Sequence, residues 1–179
     1  MSNCLFKQTF IGYKCIMVIL GIDPGTRITG YGILDEEKKP LDYGCIKPPP
    51  NLPLSARYQV LFESLEELIQ RYHPEAIAVE SQFVLKNAQS AIKLGMAKGM
   101  VFLAGARNKT PIYEFAPKQA KLAVVGSGNA SKHQVQRMIQ ALLHLPYLPE
   151  PGDAADALAL AICCYNHLRT PCTSQLKAN

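Results

Sequence analysis

The apolar run MVILGI, residues 17–22, has no helical period and stops on Asp23 before a Pro24-Gly25 turn, which predicts a buried strand. ITGYGIL (28–34) reads as a second strand, joined by the polar hairpin connection DEEKKP to a third, LDYGCIKP (41–48), which the prolines at 48–50 end. In residues 52–72, Leu54, Tyr58, Leu61, Phe62, Leu65, Leu68 and Ile69 recur at helical spacing, and His73-Pro74 stops that amphipathic helix. EAIAVE (75–80) is a short apolar strand that again finishes on a carboxylate, Glu80. Residues 87–108 form a second helix rich in Ala and Gly, small enough for close packing within the domain or against a second subunit. PIYEFAP (111–117) is a fifth strand. Two helices follow around the loop GSGNAS, with Asn129 or Ser131 as the cap of the second. GDAADALALAICCYNHLR (152–169) is the last helix.

This order is three strands in a meander, a helix, a strand, a helix, a strand, then helices. A helical crossover from the third strand to the fourth predicts an α/β fold with a five-stranded mixed sheet and helices on both faces. Residues 17–169 are expected to form one domain. Residues 1–16 show neither period nor caps and are expected to be a dispensable, disordered extension, with Met17 a candidate initiator, while 170–179 reads as a frayed tail.

Composition narrows the classes. Hydrophobic residues at 48% and charged residues at 18% of 179 are those of an ordinary globular domain. The net charge of +5 favours an anionic partner only modestly. No run approaches the roughly 18 apolar residues of a membrane helix, and the N-terminus lacks a small-residue cleavage site. The six cysteines form no CxxC pair and no zinc spacing, which fits reduced thiols and a cytoplasmic location.

The chemistry lies in the acids. Asp23 and Glu80 end apolar strands, while Asp153 and Asp156 open the last helix one turn apart on one face. Ala154 and Ala155 between them leave room to approach the sheet. If the first and fourth strands are parallel neighbours, Asp23 and Glu80 emerge at one edge, where ligand crevices form. Carboxylates gathered there would repel one another, and divalent cations with oxygen ligands would balance them. A metal pair roughly 3.5–4 Å apart clamps both oxygens of an in-line phosphoryl displacement. Taken singly, each acid also fits a plainer role as a turn residue or helix cap.

At GIDPGTRITGYGIL, AVESQFVLKNAQSAIKLGMAKG, FAPKQAKLAVVGSGNASKHQVQ and GDAADALALAI, the chain closely resembles the RuvC family of bacterial Holliday junction resolvases. The likeness runs in register from about Val18 to about Asn166. It implies a ribonuclease H-like fold and a homodimer that works with a branch-migration complex. It also implies Mg²⁺-dependent symmetric nicking of two opposed strands at a four-way DNA junction, with two Mg²⁺ per subunit for which Mn²⁺ substitutes. On this resemblance Asp23, Glu80, Asp153 and Asp156 are the catalytic metal ligands, Phe83 contacts DNA near the crossover, and Lys121 and Lys132 approach the scissile phosphodiester. The chain departs from the family in its sixteen residues before Met17 and in Ser81, where a glutamine is usual.

The basic residues make separate sense. Lys118, Lys121, Lys132, His133 and Arg137 flank the loop 126–130 and suit phosphate contacts, although a solvated helix face would look the same. Phe83, in a loop after a strand, suits base stacking; a core-capping role is the plainer alternative. His73, His144 and His167 follow no partner pattern. Among rivals, an actin-like or sugar-kinase ATPase would need a second phosphate loop, and a non-catalytic DNA-binding domain would not keep four acids facing DNA. A related pre-ribosomal RNA nuclease family shares GIDxG, but KNAQSAIKLG and DAADALA favour the resolvase.

Overall fold

The computed structural model describes residues 17–81 and 87–169. Its sheet contains β1 (Ile19–Asp23), β2 (Thr29–Leu34), β3 (Pro40–Ile46), β4 (Ala76–Glu80) and β5 (Ile112–Phe115), in the order β3-β2-β1-β4-β5. The helices are α1 (Leu54–Tyr72), α2 (Ala88–Arg107), α3 (Pro117–Val125), α4 (Lys132–Leu142) and α5 (Gly152–Arg169). The expected mixed sheet is present: β1–β2 and β2–β3 pair antiparallel, β1–β4 and β4–β5 parallel.

Local chemistry accounts for the boundaries. Pro40 begins the edge strand β3, where a missing N–H costs no ladder hydrogen bond. In the β2–β3 connection the Asp35 carboxylate accepts from the Glu37 and Lys39 backbone N–H groups at 2.9 and 2.8 Å, an Asx turn. His73 ends α1 in the left-handed region at φ 45°, donating its N–H to the Ile69 carbonyl, and Pro74 cannot continue the helix. Of the two expected caps, Ser131 opens α4: its hydroxyl accepts from Gln134 N–H at 3.2 Å, and the Gln134 side chain accepts from Ser131 N–H at 2.7 Å.

Side chains along β1 alternate between two cores. Ile19 packs with α3, α4 and α5 on one face; Leu20 and Ile22 pack with α1 and α2 on the other. α5 carries ten buried residues and lies across β1 and β2. It comes so close because β1 and β2 carry three glycines beneath it, Gly21, Gly30 and Gly32. A Cβ on Gly21 would stand 2.0 Å from the Ala157 carbonyl oxygen, and one on Gly30 2.0 Å from that of Asp153. Gly30 pairs with Asp23 across the ladder, so the glycine that admits the first turn of α5 also sets it beside Asp23.

Candidate active site

β1 and β4 run parallel with Ile22 opposite Val79, so Asp23 and Glu80 leave the sheet at the same edge. α5 is pressed onto β1 and β2 by the glycines just described, and its first turn brings Asp153 and Asp156 to that edge. Carboxylate oxygens of Asp23, Asp153 and Asp156 lie within 4.8 Å of one another. Glu80 stands to one side of this trio. It shares with Asp156 and Lys121 a cleft of about 110 Å³ floored by Ala120, Val135 and Leu160.

The charges are strongly coupled. Burial, then repulsion from Glu80, Asp156 and Asp153, raises the Asp23 carboxyl from 3.8 to about 8. Glu80 is also raised, first by burial and then by Asp156, with Lys121 and Lys98 opposing. The acids are nevertheless not uncompensated. Lys132 extends from the start of α4 to place Nζ 3.0 Å from Asp156 Oδ2 and 3.6 Å from Asp153 Oδ1. Burial works against its charge, yet the Asp156 hydrogen bond and the surrounding acids raise it above the usual lysine range. Gly152 makes room for this side chain, since a Cβ there would meet Lys132 Cε at 2.4 Å.

The other basic residues ring the α3–α4 loop. Lys121 donates to the Ala130 carbonyl at 2.8 Å, and the stem of Lys118 lies against Gly128. His133 and Arg137 are exposed, one turn apart on α4. Phe83 lies outside the described residues. His167, given no role from sequence, stacks edge-on against Phe115 and tilts against Tyr113, a packing role.

Two features escaped sequence reasoning. The Lys132 bridge depends on how α4 and α5 meet, which no local spacing encodes. The glycine seats left a fainter signal: Gly21 and Gly30 are small residues in strands, at positions that oppose the small-residue run DAADALA.

Oxygen donors only, crowded until one carboxyl is held at about 8, form a donor set suited to hard divalent cations. Among the described residues no helix is long and apolar enough to cross a membrane.

Comparison with known proteins agrees with this geometry. The family model described as crossover junction endodeoxyribonuclease RuvC matches residues 19–164, from the first residue of β1 into the last turns of α5. The RuvC of Protochlamydia amoebophila is 54% identical over 162 residues, covering 89% of this chain and 95% of its own. That of Desulforamulus reducens is 49% identical over 150 residues, covering 82% and 92%. The structure of Thermus thermophilus RuvC in complex with a Holliday junction substrate superposes with a TM-score of 0.79 at 34% identity, covering 86% of this chain and 95% of that one. The mixed sheet flanked by helices is thus the ribonuclease H-like fold. With a matching family model that spans every element of the site, the chain belongs to the RuvC family of crossover junction endodeoxyribonucleases.

Proposed function

We propose that this protein resolves four-way DNA junctions by Mg²⁺-dependent hydrolysis, nicking two opposed strands symmetrically during recombination and repair in the cytoplasm. The observation that carries the reading is the convergence of Asp23, Asp153 and Asp156 within 4.8 Å at the sheet edge where Glu80 also ends.

In this reading Asp23, Glu80, Asp153 and Asp156 hold two Mg²⁺ per subunit, with Mn²⁺ as a workable substitute. The bound ions would activate the attacking water and stabilise the leaving oxygen. The chain's own groups do the rest. Lys121 and Lys132 sit over the acids and neutralise the phosphodiester that enters. Lys118, His133 and Arg137 hold the adjoining backbone, contacts that confer affinity without sequence information. Phe83, three residues beyond Glu80, stacks on a base at the distorted crossover.

Symmetric cutting calls for two active sites, hence a homodimer, and we assign its interface to α2. Ile92, Met96, Gly99 and Leu103 fall at i, i+4, i+7 and i+11, opposite the buried face of Ala97, Val101 and Ala104. Ile92, Met96 and Leu103 are 64%, 44% and 48% exposed, large values for such residues. Among the described residues a Cβ on Gly95 or Gly99 would meet nothing within 4 Å, so the packing of these residues does not call for glycine at either position. The branch-migration complex would deliver the junction to this dimer.

The test is incubation with a synthetic four-way junction, a linear duplex and a single strand, each with Mg²⁺ or EDTA. Paired nicks on opposed strands of the junction in Mg²⁺ alone are expected. Equal cutting of the duplex would overturn the reading.

A further inference from the structure

A second basic region lies on the other side of the acids. A cleft of about 460 Å³ is lined by Arg27, Ile28, Lys47, Pro48, Pro50 and Arg57. Half of its lining is cationic and none is acidic. The ion pairs among the described residues involve none of these three cations. Arg27 and Lys47 are exposed.

Arg57 is the anchor. Its Nη2 donates to the Thr26 carbonyl at 2.8 Å, which ties the guanidinium to the loop that follows Asp23. Its Nε is the one buried side-chain nitrogen or oxygen among the described residues with no hydrogen-bond partner. Arg57 also lies near the start of α1, which has Pro53 as a cap without a side-chain hydrogen bond and no acid in its first turn. A cation there opposes the helix dipole, so helix stability does not explain its presence. Three cations that form no ion pair among the described residues, one of them with a buried Nε that has no partner there, are instead an arrangement that attracts an anion.

The cleft's walls narrow the choice of anion. Ile28, Pro48 and Pro50 are apolar, and among the described residues no aromatic lines the space. Base stacking is therefore unsupported, whereas a phosphate backbone needs only spaced cations. Position points the same way. α1 packs on one face of the sheet and α3, α4 and α5 on the other, so the acids lie between this cleft and the basic rim of α3–α4. Arms that diverge from a crossover would be met on both sides.

We propose that the Arg27–Lys47–Arg57 cleft is a second phosphate-backbone site, which seats a duplex arm of the substrate on the α1 side of the acids. The proposal rests on the reading of the protein as a junction nuclease. It is tested with Arg27→Gln/Lys47→Gln, since both side chains are exposed and neither forms a side-chain hydrogen bond or ion pair among the described residues. Binding of a four-way junction and of a linear duplex would be followed by fluorescence anisotropy in EDTA across a NaCl series. A thermal melt would check folding. The expected result is weaker binding to both DNAs, with a slope of log K against log salt shallower by about 2, at about 0.9 for each phosphate no longer neutralised. Arg71→Gln/Lys109→Gln, exposed and at the far end of α1 and beyond α2, should leave the slope near wild type. An unchanged slope in the cleft variant, or an equal change in the control, overturns the proposal. Wild-type protein that fails to prefer the junction would overturn the nuclease reading instead, while the duplex slope would still decide the cleft.

Discussion

Asp23 is a strand-terminal carboxylate whose ionisation opposes folding. Its folded value of about 8 lies far above the unfolded 3.8, so the native state binds the extra proton between those limits. The contribution of Asp23 to the stability of the metal-free protein should be fullest below about pH 4 and be lost as pH rises toward 8, as linkage requires. Asp23→Asn removes that loss. In EDTA its melting temperature should match wild type near pH 4 and exceed it increasingly toward pH 8, and added Mg²⁺ should close the gap by stabilising wild type alone. Asp156→Asn behaves differently, because it breaks the 3.0 Å contact with Lys132 and should gain less or lose stability. Both variants should lose at least about 10²-fold in junction cleavage, the scale of one electrostatic stabiliser. Thermal melts across pH, paired with cleavage assays, check this; identical pH profiles for the two variants would refute the division of roles. Asp23 and Glu80 were legible because each ends an apolar run where a charge is costly, and Asp153 and Asp156 because they open the last helix one turn apart on one face. The lysine that partly offsets them was not legible as a partner, because its reach depends on the α4–α5 packing and on the missing Cβ of Gly152.

The elements themselves were largely readable: alternation, helical period and Pro or Gly stops placed five strands and five helices within a few residues of their observed ends. What periodicity could not convey is how near one element comes to another. α5 reaches the sheet edge only because β1 and β2 carry glycines beneath it, and the decisive distances are the 2.0 Å gaps at Gly21 and Gly30. Gly30→Ala would drive a methyl group into the Asp153 carbonyl, so the first turn of α5 must lift. Overpacking of this kind costs about 1–3 kcal/mol, or roughly 2–10 °C in melting temperature for a domain of this size. Cleavage should suffer more than stability, since misplacing catalytic ligands by about 1 Å costs on the order of 10²-fold. A melt and a single-turnover assay on the same preparation test this. A variant destabilised as expected that still cuts at the wild-type rate would show that α5 does not set the site's geometry.

At the scale of the whole molecule, the +5 charge suggests an anionic partner and the Ala- and Gly-rich α2 suggests a close helical contact, but neither identifies which face meets what. Only the folded subunit separates the α2 stripe that serves the core from the stripe that does not. That unused stripe makes a prediction about assembly. A two-fold interface uses the same patch on both copies, so a single substitution acts twice. Met96→Glu/Leu103→Glu sets carboxylates against one another in an apolar contact and should yield a monomer in sedimentation velocity, with the fold kept because both side chains are exposed. Gly99→Ala is subtler. It should stabilise the isolated helix by up to about 1 kcal/mol, because among the described residues nothing outside the helix lies within 4 Å of the added methyl. Yet it should weaken the dimer if a second helix approaches there. The functional readout is a supercoiled plasmid that extrudes a cruciform. Paired cuts by a dimer linearise it, whereas a monomer carries one active site and should leave nicked circles. Glutamate variants that still sediment as dimers would move the interface away from α2, and monomers that still linearise the plasmid would separate symmetric cutting from dimerisation altogether.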